Sequence, residues 1–370
     1  MKPQPARMPT SVLVPLAIVV LVAMATATVT SHQVERAGTR TASLATVQQG
    51  SLPQTVPLRL VAGHLMVDVT LGDGPPVPML LDTGAPTSLS TPLAARIGAV
   101  PSRSIVVRTP DGHVTRMATV SVSELRLGPV TFRDVGAALD VVPPESDLAD
   151  VAGNGIIGAD LMAEAVWQID YAARRLTIAT SVEDLDHVDG AVSLPFTPAS
   201  ASSQSPLIHL GIGSGRSAFL VDTGSDGGLA LHPEDLARVG LDIGSAHPPE
   251  RATIATATGS HEAGVSAVPA RVRFSHEPAR PMSVLASDIL TPGMGLAGNE
   301  FLADHVLTID WPARRIYLGH GNYRIPTWHE VLRRALQYPQ GKRAETWLVS
   351  RLGGFSTGKT PGRKNHPVHK

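Results

Sequence analysis

The tripeptide Asp-Thr-Gly occurs twice in this chain, each time directly after a run of apolar residues. The two copies are Asp82-Thr83-Gly84 and Asp222-Thr223-Gly224. The apolar runs before them, 79–81 and 219–221, predict buried strands, and the glycines favour turns or a close approach of two backbones. Each aspartate is therefore expected at the rigid edge of a core, where two such carboxylates can face each other across one cleft.

The repeat extends well beyond the tripeptide. Asp222 follows Asp82 by 140 positions, and the same separation relates two further pairs of blocks in the same order. These blocks are Gly155-Ile156-Ile157-Gly158 with Gly295-Leu296-Ala297-Gly298, and the Ile-Asp segments that contain Asp170 and Asp310. Several blocks at one offset indicate an internal duplication, and each copy has the size of a small domain.

The composition favours a mainly β fold. The chain has 370 residues, of which 43% are apolar and 17% charged, so it is long enough to bury one or two cores. Its 34 Gly and 31 Pro are spread along the sequence, as expected for many short strands joined by turns. A net charge of −1 gives no field that would recruit nucleic acid, and the absence of Cys excludes disulfides and thiolate metal sites.

The order of these features divides the chain into five segments. They are a signal peptide or membrane anchor (1–30), a linker (31–51), a first lobe (52–182), a second lobe (192–320), and a helical segment with a basic, partly disordered tail (321–370). Within the lobes we predict a strand at 77–81, a helix at 91–97, a hairpin turn at 211–215 and a surface loop at 198–206.

The N-terminus has the pattern of an export signal. Lys2 and Arg7 precede a charge-free run from Val12 to Ala25, and small residues follow it. The run is 14 residues long, whereas a membrane span needs ~20. Cleavage and retention as an anchor both stay open, so the chain is expected outside the cytoplasm, either secreted or membrane-anchored. This segment is the candidate for contact with a membrane.

The paired loops resemble those of the aspartic protease superfamily, over residues 52–320. The order of Asp-Thr-Gly loop, apolar-apolar-Gly segment and Ile-Asp strand is most similar to the retropepsin-type aspartyl proteases of bacteria. Here two copies are fused in one chain, as in pepsin-like enzymes. The resemblance implies two retropepsin-like β-barrel lobes related by an internal pseudo-two-fold axis, with a cleft between them. An N-terminal apolar helix and short C-terminal helices complete the expected architecture.

The resemblance assigns catalysis to Asp82 and Asp222. In such a pair the two carboxyl groups lie ~3 Å apart and cannot both ionise, so they share a proton and can activate a water molecule. Support of the two loops is expected from Thr83, Gly84, Thr223, Gly224 and Ser225. The threonines would hydrogen-bond across to the opposite loop, and the Ser225 hydroxyl would donate to the outer oxygen of Asp222. Asp170 and Asp310 are interpreted as turn formers.

A hairpin that covers the substrate is also expected in this family. The candidates are the turns that contain Asp111 and Gly112 in the first copy and Gly259 and Ser260 in the second. An ordinary hairpin turn is an equally open interpretation of both. Neither contains the tyrosine found on the flap of pepsin-like enzymes.

The leading functional hypothesis is an aspartic endopeptidase that acts on peptides or proteins. The fourteen His show no ligand-like spacing, so we expect no metal and no cofactor. One chain carries both halves of the site, which predicts an active monomer. Two alternatives stay open: a non-catalytic relative that binds peptides in the same cleft, and a β-rich interaction protein of the cell envelope with an inert aspartate pair.

Overall fold

A computed structural model describes most of the region between residues 52 and 323. The described ranges are 52–108, 114–144, 146, 148–243, 250–256 and 259–323, together with the backbone of three two-residue strands nearer the N-terminus. The chain divides after Trp328 into two units, and every described residue belongs to the first of them.

Strands dominate the described residues, which confirms the prediction of a mainly β fold. The strands are β1 (Val19–Val20), β2 (Thr26–Ala27), β3 (Thr46–Val47), β4 (Gln54–Pro57), β5 (Arg59–Val61), β6 (His64–Leu71), β7 (Val77–Asp82), β8 (Ser88–Leu89), β9 (Arg103–Arg108), β10 (Val114–Leu127), β11 (Val130–Leu139), β12 (Gly155–Gly158), β13 (Val166–Asp170), β14 (Arg175–Ala179), β15 (Val192–Pro195), β16 (Thr197–Ser200), β17 (Ser203–Ile212), β18 (Gly215–Val221), β19 (Leu229–Leu231), β20 (Glu250–Thr256), β21 (Gly259–Arg273), β22 (Arg280–Ser287), β23 (Gly295–Ala297), β24 (His305–Asp310) and β25 (Arg315–His320).

The helices among the described residues are short. They are α1 (Thr91–Arg96), α2 (Ala149–Ala152), α3 (Ala159–Met162), α4 (Pro233–Arg238), α5 (Asn299–Leu302) and a 3-10 turn at Val182–Asp184. The Ser90 side chain caps α1 by accepting from the backbone N–H of Leu93, and proline stands in the first turn. The predicted helix at 91–97 is thus confirmed to within one residue.

Two sheets have the same order of equivalent strands. In the first, which defines the first lobe, the order is β2-β9-β10-β11-β8-β12-β7-β6-β5, with β3 on β11. In the second, which defines the second lobe, it is β1-β20-β21-β22-β19-β23-β18-β17-β16. The two strands nearest the N-terminus thus pair with the outer edges of the β9–β10 and β20–β21 hairpins.

A third sheet joins the lobes. Its order is β15-β25-β24-β13-β14-β4, so three strands of the second repeat and three strands of the first form one sheet with no break in hydrogen bonding. At its centre β13 runs antiparallel to β24, and Gln168 lies opposite Thr308, 140 positions later in the sequence. The Gln168 side-chain amide donates to Thr308 Oγ1 at 2.9 Å. Residues at equivalent places in the two repeats therefore meet at the middle of this sheet.

The strands that lead to the Asp-Thr-Gly loops are the most buried part of the fold. Met79, Leu80 and Leu81 in β7 and Phe219 and Leu220 in β18 all have 0% exposed surface. Their continuous apolar pattern is that of strands covered on both faces. This packing fixes the C-terminal ends of β7 and β18. Asp82 is the last residue of β7, and Asp222 directly follows β18.

One sequence-based prediction is wrong. The Ser/Ala/Pro-rich stretch 198–206, expected as a surface loop, forms a hairpin of β16 and β17 with an irregularity in register between Pro198 and Ser200. Ser203 and Ser205 are buried in it. Polar composition hid the strand, because the first buried positions of β17 are taken by serines rather than by the apolar residues that mark a half-buried strand.

Other predictions fall outside the described residues. These are the N-terminal apolar helix, apart from the strands β1 and β2, the C-terminal helical segment with its tail, and the turn of the β9–β10 hairpin. The barrel form of the lobes stays a prediction. Within the part of the chain that the structure describes, no helix has the length and apolar character needed to span a membrane.

Candidate active site

The loop that carries each aspartate lies above an apolar-apolar-Gly strand. In the first lobe β12 runs parallel to β7, and Gly158 is paired with Asp82. In the second lobe β23 runs parallel to β18, and the backbone N–H of Asp222 donates to the carbonyl of Ala297 at 3.0 Å. Glycine is required under the first loop, because a Cβ on Gly158 would overlap its backbone.

The two loops are held together by four hydrogen bonds that cross between the lobes. Thr83 Oγ1 donates to the carbonyl of Val221 at 2.6 Å and accepts from the backbone N–H of Thr223 at 3.1 Å. Thr223 Oγ1 donates to the carbonyl of Leu81 at 2.8 Å and accepts from the backbone N–H of Thr83 at 3.0 Å. Each threonine thus satisfies two buried backbone groups of the opposite loop.

The paired aspartates are fully buried, and each is oriented by its own loop. Gly84 N–H donates to Asp82 Oδ1 at 2.7 Å, and Gly224 N–H donates to Asp222 Oδ1 at 2.9 Å. The second oxygen of each carboxyl group, Oδ2, is buried and has no hydrogen-bond partner among the described residues. One oxygen of each group is thus fixed by the protein, and the other is left for chemistry.

The carboxyl groups approach each other because both loops contain glycine. A Cβ on Gly84 would lie 2.8 Å from Asp222 Oδ1, and a Cβ on Gly224 would overlap Asp82 Oδ2. Each carboxyl group therefore packs on the glycine of the opposite loop. Any side chain at either position would push the two aspartates apart.

Burial raises the pKa of both aspartates, and the proximity of Asp82 raises that of Asp222 further. For Asp82, burial raises the pKa, and hydrogen bonds from Asp222 and from loop amides lower it in part. For Asp222, burial raises the pKa well above the ordinary value, and the charge of Asp82 raises it further. The amides of Gly224 and Ser225 act in the opposite direction. The pair therefore retains one shared proton at pH values where isolated carboxyl groups are ionised.

Ser225 supports its loop in a different way from that predicted. Its hydroxyl accepts from the backbone N–H of Gly227 at 3.4 Å and does not bond to Asp222 Oδ2. The Ser225 hydroxyl is turned inward, 2.8 Å from the position of a Cβ on Gly298. The backbone N–H of Ser225 donates to the backbone carbonyl of Asp222 at 3.2 Å.

The candidate flap of the second lobe is only partly described. Strands β20 and β21 pair up to Thr256 and Gly259, where Gly259 has φ of 122°. Ala255 is 0% exposed and belongs to an apolar cluster otherwise formed by first-lobe residues such as Leu80 and Ala85. Ser260 lies in β21, next to this end of the hairpin. In the first lobe Asp111 and Gly112 are outside the described residues.

Asp170 and Asp310 are turn formers, as predicted. Asp170 Oδ1 accepts from the backbone N–H of Ala173 at 2.8 Å, and Asp310 Oδ1 accepts from that of Ala313 at 2.9 Å. Both aspartates cap the turn that follows a central strand of the joining sheet.

Three polar side chains next to the loops were not predicted from the sequence. His64 and Asn299 contact the second loop, and Asp160 lies under the first. Asp160 Oδ1 accepts from both the N–H and the hydroxyl of Thr87, while burial raises its pKa. A comparison of the repeats at the 140-residue offset would have drawn attention to Asn299, because its counterpart is Ala159.

The site can do acid–base chemistry with carboxyl groups alone. Within the described ranges, no cluster of three or more His, Asp or Glu has the arrangement of a metal site. Two close carboxyl groups with raised pKa values and one free oxygen each can both accept and donate a proton.

One comparison with known proteins bears on this site. A family model for aspartyl proteases matches residues 67–161, from β6 to α3. The matched stretch contains the first Asp-Thr-Gly loop and the strand under it. No curated protein matches the chain. The family match supports a relationship to aspartyl proteases and, in general terms, a protease function with peptide or protein substrates.

Proposed function

We propose that the protein is an aspartic endopeptidase in which Asp82 and Asp222 activate a water molecule for hydrolysis of a peptide bond. The observation that carries the proposal is the packing of each buried carboxyl group on the glycine of the opposite loop. Two carboxyl groups that are buried next to each other share one proton, and acid–base catalysis uses such a shared proton.

In the proposed reaction, the pair begins with one proton. The ionised carboxylate takes a proton from water as the water oxygen attacks the carbonyl carbon of the scissile peptide bond. The protonated carboxyl group gives its proton to the carbonyl oxygen, and a neutral tetrahedral diol forms. The protonated carboxyl group gives its proton to the amide nitrogen, and a hydroxyl of the diol gives its proton to the other carboxylate as the C–N bond breaks. The acid and amine products leave, and one proton again remains on the pair.

The lobes are proposed to be duplicated retropepsin-like units that build one site within one chain. This is supported by the constant offset of 140 residues and by the equal strand order of the two sheets. The described contacts between the loops all lie within a single chain. An active monomer follows from this arrangement.

The chain is proposed to act outside the cytoplasm, either secreted or anchored. The support is in the sequence, where Lys2 and Arg7 precede the apolar run from Val12 to Ala25. N-terminal sequencing of the mature protein distinguishes a cleaved signal from a retained anchor. Recovery of the intact chain from the soluble cytoplasm would contradict both forms.

A peptide-library digest of the purified protein, across a range of pH, tests the proposed activity. We expect cleavage within peptides, with pairs of products whose masses add up to that of the parent plus one water. A protein that binds library peptides without cleaving them at any pH would be a peptide-binding relative. A protein that neither binds nor cleaves them would be an interaction protein with an inert aspartate pair.

A further inference from the structure

A turn of the first lobe packs against the second Asp-Thr-Gly loop. In this turn Ala62 and Gly63 have φ of 50° and 85°, and a Cβ on Gly63 would lie 2.8 Å from Cβ of Asp226. The turn delivers His64, which is only 1% exposed. His64 Nδ1 lies 2.9 Å from the carbonyl oxygen of Gly224. A side chain of one lobe thus contacts the loop that positions the aspartate of the other.

The contact identifies the protonation state of His64. A carbonyl oxygen only accepts hydrogen bonds, so Nδ1 carries a proton and donates it. Nε2 is buried and has no hydrogen-bond partner among the described residues, which suits an unprotonated nitrogen better than an N–H. Burial also lowers the pKa of His64 to about 4. The ring is therefore neutral over the pH range in which the aspartate pair changes its charge.

The residue whose carbonyl His64 contacts also holds Asp222. The Gly224 N–H donates to Asp222 Oδ1 at 2.9 Å, and this amide lowers the pKa of Asp222. The next amide, that of Ser225, donates to the backbone carbonyl of Asp222 at 3.2 Å and closes the turn. A donor at the Gly224 carbonyl fixes the orientation of Gly224 between these contacts. His64 therefore affects Asp222 through one intervening residue.

Asn299 ties the same turn to the same loop. Its side-chain amide donates to the carbonyl of Gly63 at 2.9 Å and to that of Thr223 at 2.8 Å. Its Oδ1 accepts from the hydroxyl of Tyr171, a residue of the first lobe, at 2.7 Å. Both amide hydrogens and the oxygen of this fully buried side chain are satisfied. The turn that contains His64 is thus joined to the second loop by both His64 and Asn299.

The first loop is supported differently, from within its own lobe. There Asp160 accepts from Thr87, and the Thr87 hydroxyl accepts from the N–H of Gly158 at 3.1 Å. The counterpart of Asn299 at the 140-residue offset is Ala159, which has no amide to donate.

The counterpart of His64 follows from strand register. Met66 pairs with Leu80, and Leu207 pairs with the equivalent Leu220, so Ser205 stands where His64 stands. The hydrogen bond that His64 makes across the lobes therefore supports the loop that carries Asp222.

We propose that His64 is a positioning residue for Asp222: it holds Gly224 in the orientation that directs the Gly224 N–H to Asp222 Oδ1. The inference rests on the proposed function, in which Asp222 is one of the two acid–base groups. It adds that a contact from the opposite lobe makes the support of the Asp222 carboxyl group different from that of the Asp82 carboxyl group.

Substitutions at one position separate this role from simple packing. His64→Asn places an amide N–H near the position of Nδ1 and keeps the donor, whereas His64→Leu keeps the bulk and removes it. His64→Gln moves the donor by one bond. Ser205→Ala is the matched control at the equivalent position of the second lobe.

The first readout needs no substrate. Carboxyl ¹³C NMR of protein labelled at aspartate, assigned with Asp82→Asn, follows the titration of the pair. Asp222 and Asp226 lie on the loop that the His64 turn contacts, and Asp82 is paired with Asp222. Tyr171, which donates to Asn299, stays neutral because burial raises its pKa. We expect His64→Leu to move the upper titration step of the pair to higher pH by about 0.5–1 unit. His64→Asn and Ser205→Ala should titrate like the wild type.

The second readout is peptide turnover. We expect His64→Leu to lower kcat about 10-fold or more with KM within about twofold, and His64→Asn to restore it to within about threefold. His64→Gln should fall between them. If His64→Leu does not fold, the order of the Asn and Gln variants still tests the donor.

The outcomes distinguish this inference from the proposed function. A wild type that cleaves no peptide, with a titration that still shifts in His64→Leu and is restored in His64→Asn, contradicts the proposed function and supports the role of His64. A wild type that cleaves peptides, with His64→Leu unchanged in both readouts or His64→Asn as impaired as His64→Leu, overturns the role of His64 alone.

Discussion

At the scale of single residues, two glycines decide how closely the paired aspartates approach. A Cβ on Gly224 would overlap Asp82 Oδ2. We expect Gly224→Ala to displace the Asp82 carboxyl group and to lower kcat about 100-fold, because displacements of about 1 Å at reacting groups have effects of that size. Steady-state kinetics with a cleaved peptide measure the loss.

The matched control for this substitution is Gly136→Ala in β11. A Cβ there would meet nothing within 4 Å, so activity should stay at the wild-type level. Wild-type kcat in Gly224→Ala would mean that the two carboxyl groups are farther apart in solution than the structure places them.

The raised pKa values of the aspartates also predict an effect on stability. A carboxyl group whose pKa is raised by folding binds more protons in the folded state at pH values above its ordinary pKa of 3.8. The free energy of unfolding then falls as pH rises through the window between the ordinary and the raised value. Asn cannot ionise, so Asp82→Asn and Asp222→Asn avoid this loss.

We therefore expect both Asn variants to melt at a higher temperature than the wild type at pH 7.5. Each substitution removes one of the two coupled carboxyl groups, so both variants should show the gain. The difference should become much smaller near pH 3, below the ordinary pKa of 3.8, where the wild-type pair is largely protonated in both states. Thermal unfolding at the two pH values measures it, and a wild type that is more stable than both variants at pH 7.5 would contradict the raised pKa values.

At the scale of elements, the cross-lobe hydrogen bonds of the threonines join the ends of β7 and β18. Thr83→Val removes the hydroxyl and leaves the carbonyl of Val221 and the N–H of Thr223 buried without their partner. The expected loss in free energy of unfolding is about 1–3 kcal/mol for each group. Thr83→Ser keeps the hydroxyl and should retain most of the stability in denaturant unfolding.

A threonine pair on the surface provides the control. Thr55 and Thr177 hydrogen-bond at 3.1 Å across β4 and β14 at an exposed site. Thr55→Val should change the free energy of unfolding by no more than about 0.5 kcal/mol. Equal effects of the two Val substitutions would show that the loops are not joined by these bonds in solution.

The elements that the sequence predicts best are those with strong local signals. The strand expected at 77–81 is β7, and Gly213 and Ser214 form the expected turn between β17 and β18. Apolar runs and glycine turns depend on neighbouring residues, so they can be recognised in a single sequence. The hairpin of β16 and β17 could not be recognised, because the buried positions at the start of β17 are Ser203 and Ser205 instead of apolar residues.

The surroundings of the aspartates show the same limit. The two Asp-Thr-Gly loops are evident from the sequence because the motif and its repeat are local patterns. His64 and Asn299 are not, since they lie 160 and 76 positions from the loop residues they contact. A lone histidine before a strand carries no sign of its partner until the fold brings the two together.

At the scale of the described molecule, the joining sheet and the two loops both bring together residues 140 positions apart. Gln168 meets Thr308 in the sheet, and Thr83 meets Thr223 at the site. Both contacts lie within one chain, so the site needs no second copy. We expect the active species to sediment as a monomer, with specific activity unchanged on dilution. Activity that falls with dilution in step with dissociation of a dimer would contradict this.

The measurement that tests the central claim most directly is peptide turnover by Asp82→Asn and Asp222→Asn beside the wild type. Both variants keep the shape of the side chain and remove its ability to share a proton. If the two carboxyl groups act as one unit, each substitution alone should lower kcat by about 1,000-fold or more, with the fold intact by circular dichroism. Turnover near the wild-type rate in either folded variant would contradict catalysis by the pair.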